Sequence, residues 1–320
     1  MLVASAPSRL DFGGGWTDVP PYPEERGGFV CNLAIERRSR VMLRPGPAET
    51  DRLPLVSAAL RRTPFGGHVA ITSDFPIGAG LGGSAAAGVA LAAALSAARG
   101  PSIAASPDLS AIAEWSRATE VEELGVAGGR QDHYAAAYGG ALGLTFGAAV
   151  SVERIALSDA CRTDLESRLL LVYTGESRLS GDTITAVLTA YRERIPRVVN
   201  ALDRMAVLAR GMRGALIAGD VTTLAALVDE HWVHQRALHP GITTARIDAL
   251  AEAARGAGAQ GLKALGASGG GCVVVFSPPG ESARVAEAVR PFGEVLPWRV
   301  ATTGVEWSMG AAVSRHAPKP

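Results

Sequence analysis

Alternating apolar and polar positions predict that strands dominate the first half of the chain. Residues 1–12 are predicted to form a strand that runs into a glycine-rich loop. The alternation over Phe29–Leu43 predicts two strands joined by a turn. Further strands are predicted at His68–Thr72 and in the ALGLTF segment that follows Gly139-Gly140.

The predicted helices of this half differ in polarity. Residues 84–98 are apolar on every side, which predicts a buried helix. Residues 108–124 form a more acidic helix that Gly125–Gly129 interrupts, and Asp132–Tyr138 begins another helical segment.

The second half begins near residue 160, with a buried-strand pattern at Arg168–Thr174. Helices are then predicted at residues 181–195, 198–218, 220–236 and 244–257. A glycine-rich loop, the apolar strand CVVVF, a helix at 281–290 and a strand near 295–302 follow. We therefore predict an α/β (α+β) protein with two domains, residues 1–162 and 163–320.

Composition narrows the class of protein. The chain has 31 basic and 31 acidic residues, so its charge gives no reason to expect nucleic acid or an anionic membrane as a partner. No apolar run is long enough to span a bilayer, and Arg9 and Asp11 do not fit a signal peptide. Cys31, Cys161 and Cys272 are few and far apart, which favours a reducing compartment. We expect a cytoplasmic protein that binds neither nucleic acid nor membrane; a homodimer stays open.

A glycine cluster precedes the apolar helix. Gly78, Gly80 and Gly83 fit G-x-G-x-x-G, the dinucleotide fingerprint. No strand with a terminal acidic residue follows the helix, as a Rossmann site requires. Ser84 opens the helix, where free N–H groups and the helix dipole favour phosphate oxygens. A phosphate-binding loop is the favoured interpretation, while a structural turn and an NAD site stay open.

Two more glycine loops complete a set of three: GGGWTD at 13–18 and LKALGASGGGCVVVF at 262–276. Together the loops resemble the GHMP small-molecule kinases. The family's middle motif is matched at Pro76, Gly80, Leu81, Gly82, Ser84, Ala85 and Ala86, and Gly83 replaces its first serine. Its third motif is matched at Lys263, Gly266, Ala267 and Gly269–Gly271, and Ser268 departs from it.

This resemblance implies a fold, a nucleotide and a metal ion. The fold is an N-terminal domain like ribosomal protein S5 domain 2 and a C-terminal ferredoxin-like domain. ATP and Mg²⁺ are implied, with Ser84 and Glu120 as metal ligands; Glu122 and Glu123 are close enough to leave the register open. The implied ATP-binding residues are Pro76, Gly78, Ala79, Gly80, Leu81, Gly82, Gly83, Ser84 and Ala85.

The opening segment PSRLDFGGGWTDVPPYPEERGG is similar to bacterial heptose 7-phosphate kinases and to the kinase part of L-fucokinases. The resemblance implies phosphorylation of a sugar hydroxyl, with the anomeric C1 hydroxyl favoured. D-glycero-D-manno-heptose 7-phosphate, giving the 1,7-bisphosphate, is the first candidate; L-fucose or another free sugar is the alternative. The implied substrate-binding residues are Arg9, Gly14, Gly15, Trp16, Thr17, Asp18, Tyr22, Asp132, Lys263, Gly269 and Gly270. The arginines considered for a distal phosphate are Arg26, Arg37, Arg61, Arg62 and Arg178.

The segment GRQDHYAAAYGG resembles the heptose kinase signature G-K-Q-D-Q-Y-A-A-A-x-G-G. It implies that Asp132 is the catalytic base, beside Arg9 at the acceptor hydroxyl; a helix-capping role is the alternative for Asp132. His133 is interpreted as a helix-surface residue. The cluster His231, His234 and His239 is too weak a pattern to predict a metal site. An NAD-dependent oxidoreductase and a catalytically inactive binding protein are the alternatives from other classes.

Overall fold

A computed structural model describes most of the chain. The described residues are 1–47, 53–76, 78–99, 108–176 and 181–309. Within them, all strand pairs are antiparallel, and they form one six-stranded and one four-stranded sheet. A Rossmann site requires parallel βαβ units, so the NAD-binding alternative is wrong for this part of the chain.

The larger sheet has the order β10-β1-β2-β4-β5, with β3 paired to the outer part of β2. Its strands are β1 (Leu2–Gly13), β2 (Gly28–Arg44), β3 (His68–Ser73), β4 (Ala141–Phe146), β5 (Val150–Ile155) and β10 (Glu306–Met309). The last described strand of the chain therefore pairs with the first one.

The predicted pair of strands within Phe29–Leu43 is wrong, because β2 is one long strand. Its pairing with β1 shifts where Ser8 faces Ile35 and Pro7 faces Arg38, which leaves two residues of β2 in a bulge. Around the bulge, residues 33–43 contain no glycine, asparagine or proline at which a tight turn could form, and Asn32 is paired on both sides within the sheet. A bulge bends the strand there without ending it.

The smaller sheet has the order β7-β8-β6-β9. Its strands are β6 (Leu169–Tyr173), β7 (Gly261–Ala264), β8 (Cys272–Phe276) and β9 (Glu294–Leu296). The strand predicted near 295–302 is shorter than expected, and Val300 makes only an isolated bridge to Ile35 of the larger sheet. The domain limits at 162 and 163 stay a prediction; they fall inside a helix.

The predicted helices are confirmed with shifted ends, and three helices near 22, 54 and 159 were not predicted. The helices are α1 (Tyr22–Arg26), α2 (Pro54–Arg62), α3 (Gly83–Ala98), α4 (Leu109–Ala118), α5 (Gln131–Tyr138), α6 (Asp159–Arg168), α7 (Gly181–Arg192), α8 (Pro196–Ala218), α9 (Val221–Leu238), α10 (Ala245–Gly256) and α11 (Ser282–Val289). A π-helical turn, Thr119–Glu123, extends α4. No helix among the described residues is long and apolar enough to cross a membrane.

Apolar packing joins the two sheets and buries α3. One core cluster contains residues of both sheets, and the rings of Phe12 and Phe276 lie 6.2 Å apart within it. Twelve of the 16 residues of α3 are buried, mostly against β1 and β2 and against α4 and α5. Because most of α3 is buried, packing holds its N-terminus in place at the edge of a cleft.

Candidate active site

A cleft of about 380 Å³ opens at the N-terminus of α3. Glu120 and Asp132 face it from the π-helical turn and from α5. All nine residues predicted to bind ATP line it: Pro76, Gly78, Ala79, Gly80, Leu81, Gly82, Gly83, Ser84 and Ala85. The structure therefore brings together the predicted phosphate loop, the predicted metal ligands and the predicted base.

The glycines of this loop have two structural tasks. Gly82 ends the loop in the left-handed conformation and caps α3, which leaves the first N–H groups of the helix exposed to the cleft. Gly80, at φ 72°, lies against the third glycine loop, and a Cβ there would be 2.8 Å from the carbonyl oxygen of Leu265. The N–H of Cys272 donates to the carbonyl of Ala79 at 2.8 Å, so the two loops support each other.

Arg9 and Asp132 form an ion pair at the edge of the cleft. The Arg9 Nε and Nη2 atoms lie 2.8 and 2.7 Å from Asp132 Oδ1, and Arg9 Nη1 donates to the carbonyl of Gly80 at 2.6 Å. Arg9 is 3% exposed, whereas the Asp132 side chain is 28% exposed. Asp132 lies within the first turn of α5, after the N-cap residue Arg130, and its carboxylate is held by Arg9, so the capping alternative is not supported. Arg9 thus links the carboxylate to the phosphate loop.

Glu120 is the acid of the π-helical turn that faces the cleft. Burial alone would raise its pKa, but hydrogen bonds from His133 and Ser84 outweigh burial and hold the pKa below its ordinary value. Glu122 and Glu123 point elsewhere, to Arg62 and Arg61 of α2, each at 2.8 Å. The geometry therefore favours Glu120 over its two neighbours as a metal ligand, and the role itself stays a prediction.

His133 was interpreted as a surface residue, and that interpretation is wrong. Its side chain is 3% exposed, with Nε2 at 3.2 Å from Glu120 Oε2 and Nδ1 at 3.0 Å from Ser116 Oγ. The position follows from α5, which packs on α4 and α3 and therefore turns His133 inward. The sequence gave no sign of Ser116, which lies 17 residues away in another helix.

The first glycine loop is a tight turn stabilised by its own groups. Gly14, at φ 87°, donates its N–H to Nε2 of His231 at 2.9 Å, and a Cβ there would lie 1.9 Å from the carbonyl oxygen of Phe29. The Thr17 hydroxyl is within hydrogen-bond distance of the carbonyls of Gly14 and Phe29, at 2.7 and 3.1 Å. A Cβ at Gly15 would contact Asp11 Oδ2. Gly14 and Thr17 therefore shape the turn and do not line the described cleft.

Asp18 is a buried carboxylate close to the predicted base. It is 1% exposed, and its Oδ2 accepts the backbone N–H of Gln131 at 2.9 Å. Burial raises the pKa of Asp18 to about 6, and the negative charges of Asp132 and Asp11 add to the increase. Asp18 therefore lies close to Asp132 on the interior side, where it holds the start of α5, and its predicted contact with sugar hydroxyls stays a prediction.

Trp16 and Tyr22 were expected near the sugar, and the structure places both in the core around Tyr191. The Tyr22 hydroxyl donates to Asp203 Oδ1 at 2.9 Å, and its ring contacts Tyr191 edge-on. Trp16 is 7% exposed. Apolar burial explains both rings and neither lines the described cleft, while their substrate-binding role stays a prediction.

Lys263 was expected to contact the acceptor; its described contacts are internal, and the substrate-binding role stays a prediction. It is fully buried, and its Nζ donates to the backbone carbonyl and to Oδ2 of Asp11 at 2.8 and 3.1 Å. Burial lowers the pKa of Lys263 against the opposing effect of Asp11. Burial would raise the pKa of Asp11, but Lys263, His231 and Arg9 hold it below its ordinary value. Lys263 therefore neutralises an internal charge between the two halves of the chain.

Gly269 and Gly270 are buried in the third loop and face away from the described cleft. The N–H of Gly269 donates to the carbonyl of Ile242 at 2.9 Å. A Cβ at Gly270 would lie 2.7 Å from the carbonyl oxygen of Glu176. Close backbone packing, rather than contact with an acceptor, accounts for both glycines in the described part of the chain.

Asp11 lies close to the site, and the sequence reasoning gave it no role there. The sequence nevertheless contained an indication of that position. It lies two positions after Arg9, and residues two apart on a strand share a face.

Among the described residues, no group of three or more histidine, cysteine or acidic side chains could hold a metal ion. His231 is buried with its pKa lowered by burial and by Lys263, so it is a structural acceptor for the first loop.

Comparison with known proteins adds two family matches. The family profile described as "GHMP kinases N terminal domain" matches residues 53–140, and "GHMP kinases C terminal" matches residues 212–294. The first match contains the phosphate loop, Glu120 and Asp132, and the second contains Lys263 and the third glycine loop.

Curated relatives align over most of this chain. A bifunctional fucokinase/GDP-fucose pyrophosphorylase of Arabidopsis thaliana is 25% identical over 87% of the chain, which spans only 30% of that relative. D-glycero-alpha-D-manno-heptose 7-phosphate kinase of Campylobacter jejuni is 24% identical, with 90% of this chain and 93% of the relative covered. Mevalonate kinase of Pyrococcus furiosus is 30% identical, covering 76% of this chain and 69% of the relative.

A solved structure supports the same assignment of the fold. The crystal structure of a D-glycero-D-manno-heptose 1-phosphate kinase from Bacteroides thetaiotaomicron matches with a TM-score of 0.75 and 21% identity. The match covers 98% of this chain and 100% of the other. At this identity the likeness shows the shared fold alone.

Proposed function

The chain belongs to the GHMP kinase family, and from that premise we propose that it is an ATP-dependent sugar kinase. The predicted GHMP kinase fold is confirmed. Kinases of this family take the transferred phosphate from ATP. The acceptor that we propose is a sugar hydroxyl, with the anomeric C1 hydroxyl as the favoured position, because the aligned heptose kinase covers almost the whole chain.

The observation that carries this proposal is the Arg9–Asp132 pair at the edge of the glycine-lined cleft. Phosphoryl transfer to an alcohol needs a group that accepts or orients the hydroxyl proton. Asp132 is partly exposed to the cleft and can do so, while Arg9 fixes its orientation and places a positive charge beside it. The acceptor oxygen forms the new bond to the γ-phosphorus, the bond to the β–γ bridging oxygen breaks, and Asp132 takes the proton.

The phosphates of ATP would bind at the N-terminus of α3, where exposed N–H groups and the helix dipole favour negative charge. Ser84 and Glu120 are joined by a hydrogen bond beside that terminus. One or two oxygen ligands plus phosphates are what Mg²⁺ uses in such sites, so this pair fits the ion. Ser84 and Glu120 would hold Mg²⁺, which supplies positive charge to the β- and γ-phosphate oxygens when bound.

The acceptor that we favour is D-glycero-D-manno-heptose 7-phosphate, giving the 1,7-bisphosphate. Its distal phosphate needs a cation, and most of the arginines considered for it have other partners. Arg26 pairs with Asp203, Arg37 donates to the carbonyls of Asp74 and Pro297, and Arg61 and Arg62 pair with Glu123 and Glu122, while Arg178 lies outside the described residues. These pairings count against these arginines as the distal-phosphate site. L-fucose or another free sugar, which needs no such cation, stays the alternative acceptor, and a fucokinase is among the relatives.

Arg117 is a candidate to bind the distal phosphate of a heptose 7-phosphate acceptor. Its Nε is buried and has no hydrogen-bond partner among the described residues. Burial and the nearby charge of Arg130 lower its pKa, while the charges of Glu114, Asp18 and Glu122 oppose that decrease. A bound anion beside Arg117 would offset both the burial and the repulsion.

A coupled ADP-release screen over free sugars and sugar phosphates tests the proposal. The product's phosphate position is read by NMR, and we expect turnover with a heptose 7-phosphate or a free hexose. No turnover with any sugar, together with turnover of a non-sugar alcohol such as mevalonate, would overturn the sugar assignment.

Asp132→Asn tests the proposed base. Loss of a general base lowers kcat by about 10²- to 10⁴-fold, and ATP affinity should stay unchanged because the carboxylate acts on the acceptor. Asp159→Asn, at a side chain that is 92% exposed on α6, is the control. An Asp132→Asn protein with the kcat of the parent would sink the assignment.

A further inference from the structure

A buried row of hydrogen-bonding side chains lies directly behind Glu120. Ser116 Oγ is 3.0 Å from His133 Nδ1, and His133 Nε2 is 3.2 Å from Glu120 Oε2. Ser116 is 1% and His133 3% exposed, so water does not compete for these contacts. The row ends at Ser84, which hydrogen-bonds Glu120 on the cleft side.

The direction of the first hydrogen bond in the row follows from the Glu120 carboxylate at its end. The Glu120 carboxylate can only accept, so Nε2 of His133 donates to it. At Nδ1 the Ser116 hydroxyl completes the row, and a hydroxyl can either donate to that nitrogen or accept from it. The contacts at the two ring nitrogens therefore fix the plane of the His133 ring, and the ring holds one oxygen of Glu120.

The backbone geometry explains why Glu120 faces the cleft and its neighbour Glu122 does not. Glu120 lies in the π-helical turn Thr119–Glu123, and such turns insert an extra residue that rotates the following side chains. Glu122, two positions later, instead points outward to Arg62 at 2.8 Å. The turn alone aims Glu120 at the cleft, but an acid with three rotatable bonds needs a second contact to hold one conformation.

We propose that His133 is a positioning residue for the metal site, acting through Glu120, with Ser116 as its support. The inference rests on the proposed function, because it assigns a role within the same site. With Oε2 held by His133, the second carboxylate oxygen stays available to Ser84 and to the metal ion. Hydrogen-bond partners of metal ligands of this kind contribute about 10- to 100-fold to metal affinity.

The test compares His133→Leu, which removes the donor, with His133→Gln, whose amide N–H keeps one. Mn²⁺ affinity is measured in the presence of ADP by electron paramagnetic resonance, and ADP affinity is measured separately with EDTA. We expect His133→Leu to weaken Mn²⁺ binding about 10- to 100-fold with metal-free ADP binding unchanged, and His133→Gln to restore most of the loss. Glu122→Gln, in the same turn but facing Arg62, is the matched control and should bind Mn²⁺ like the parent.

A folded His133→Leu protein that binds Mn²⁺ as tightly as the parent would overturn the proposal. So would equal losses of Mn²⁺ and of metal-free ADP binding, because these indicate general damage to the cleft. If His133→Leu does not fold, Ser116→Ala decides instead: a loss of Mn²⁺ affinity of a few fold supports the row, and no loss rejects it.

The parent protein separates this inference from the proposed function. Sugar phosphorylation by the parent together with unchanged Mn²⁺ binding in His133→Leu rejects the positioning role alone. Absence of sugar turnover in the parent, with Mn²⁺ still bound through ADP in a His133-dependent way, rejects the sugar assignment and leaves the positioning role standing.

Discussion

Two sides of the site use glycine-rich loops in opposite ways. The phosphate side, residues 76–84 with Glu120, presents Ser84 and the N–H groups of α3 to the cleft. The acceptor side is residues 13–18 with Tyr22, Lys263 and Gly269-Gly270. Its Thr17 and Lys263 are fully buried, and their polar atoms already have protein partners.

The difference is that the phosphate side is open for ligand binding, whereas the polar residues of the acceptor side stabilise the fold. The backbone N–H groups can bind phosphate and the oxygens of Ser84 and Glu120 can bind a metal ion without rearrangement, so the phosphate side is arranged for its ligands. A buried polar group is costly unless it is paired, so the polar residues of the acceptor side stabilise one another. We therefore expect substitutions on the acceptor side to change stability first and acceptor binding second, and three variants test this from the largest effect to the smallest.

Lys263→Met gives the largest expected effect. Removing one partner of a buried ion pair leaves Asp11 as an uncompensated internal charge, which costs about 3–5 kcal/mol. Chemical denaturation followed by circular dichroism measures the free energy of unfolding. The double variant Asp11→Asn/Lys263→Met should recover part of the loss, because the buried charge is then absent.

The opposite outcome would restore the original expectation for this lysine. If Lys263→Met kept the parent's free energy of unfolding but raised the acceptor KM, Lys263 would be a substrate contact. The acceptor side would then resemble the phosphate side.

Asp18→Asn tests the second buried charge through pH. The pKa of Asp18 is raised from 3.8 to about 6 by folding. The protonated carboxyl therefore contributes stability that is fully present below pH 3.8 and is lost as pH rises through about 6. Asparagine has no such loss, so Asp18→Asn should gain up to about 3 kcal/mol relative to the parent between pH 4 and pH 7.

The measurement is the difference in free energy of unfolding between Asp18→Asn and the parent, taken from urea titrations across that range. Titrations of groups that do not interact with Asp18 cancel in this difference. The exposed Asp159→Asn variant provides the baseline. A flat difference for Asp18→Asn would mean that this carboxyl is no more buried in solution than Asp159.

Tyr22→Phe gives the smallest expected effect. It removes the hydrogen bond to Asp203 at 2.9 Å and keeps the ring contact with Tyr191, so we expect a loss of about 1–2 kcal/mol and an unchanged acceptor KM. Tyr191→Phe, which loses a similar bond to Glu25, is the matched control. A raised acceptor KM in Tyr22→Phe alone would place this hydroxyl in the sugar site.

The sequence predicted the geometry of the phosphate side well because that geometry lies in backbone conformation. Gly80 and Gly82 adopt positive φ angles and leave no side chain to misplace, so the glycine pattern was sufficient. The acceptor side was harder, because Lys263 and Asp11 are 252 positions apart, and only folding decides that each satisfies the other. His133 was missed for the same reason: the helix packing that buries it is a long-range property.

The first sheet shows the same limit for secondary structure. The alternation over Phe29–Leu43 correctly indicated β-structure, but alternation cannot tell a turn from a bulge within one strand. The third glycine loop was predicted in part. Its glycines were recognised in the sequence, and their backbone neighbours Ile242 and Glu176 could be found only in the folded chain.

The pairing of β1 with β10 bears on how the protein folds during synthesis. Leu2 faces Met309 across this pair, so one edge of the first sheet stays open until nearly the whole chain has left the ribosome. Contacts of such sequence separation form slowly, because a large loop must close before they are gained. An open edge is also a template for pairing with another chain. Until β10 is made, the open edge of β1 therefore exposes the nascent N-terminal half to pairing with another chain.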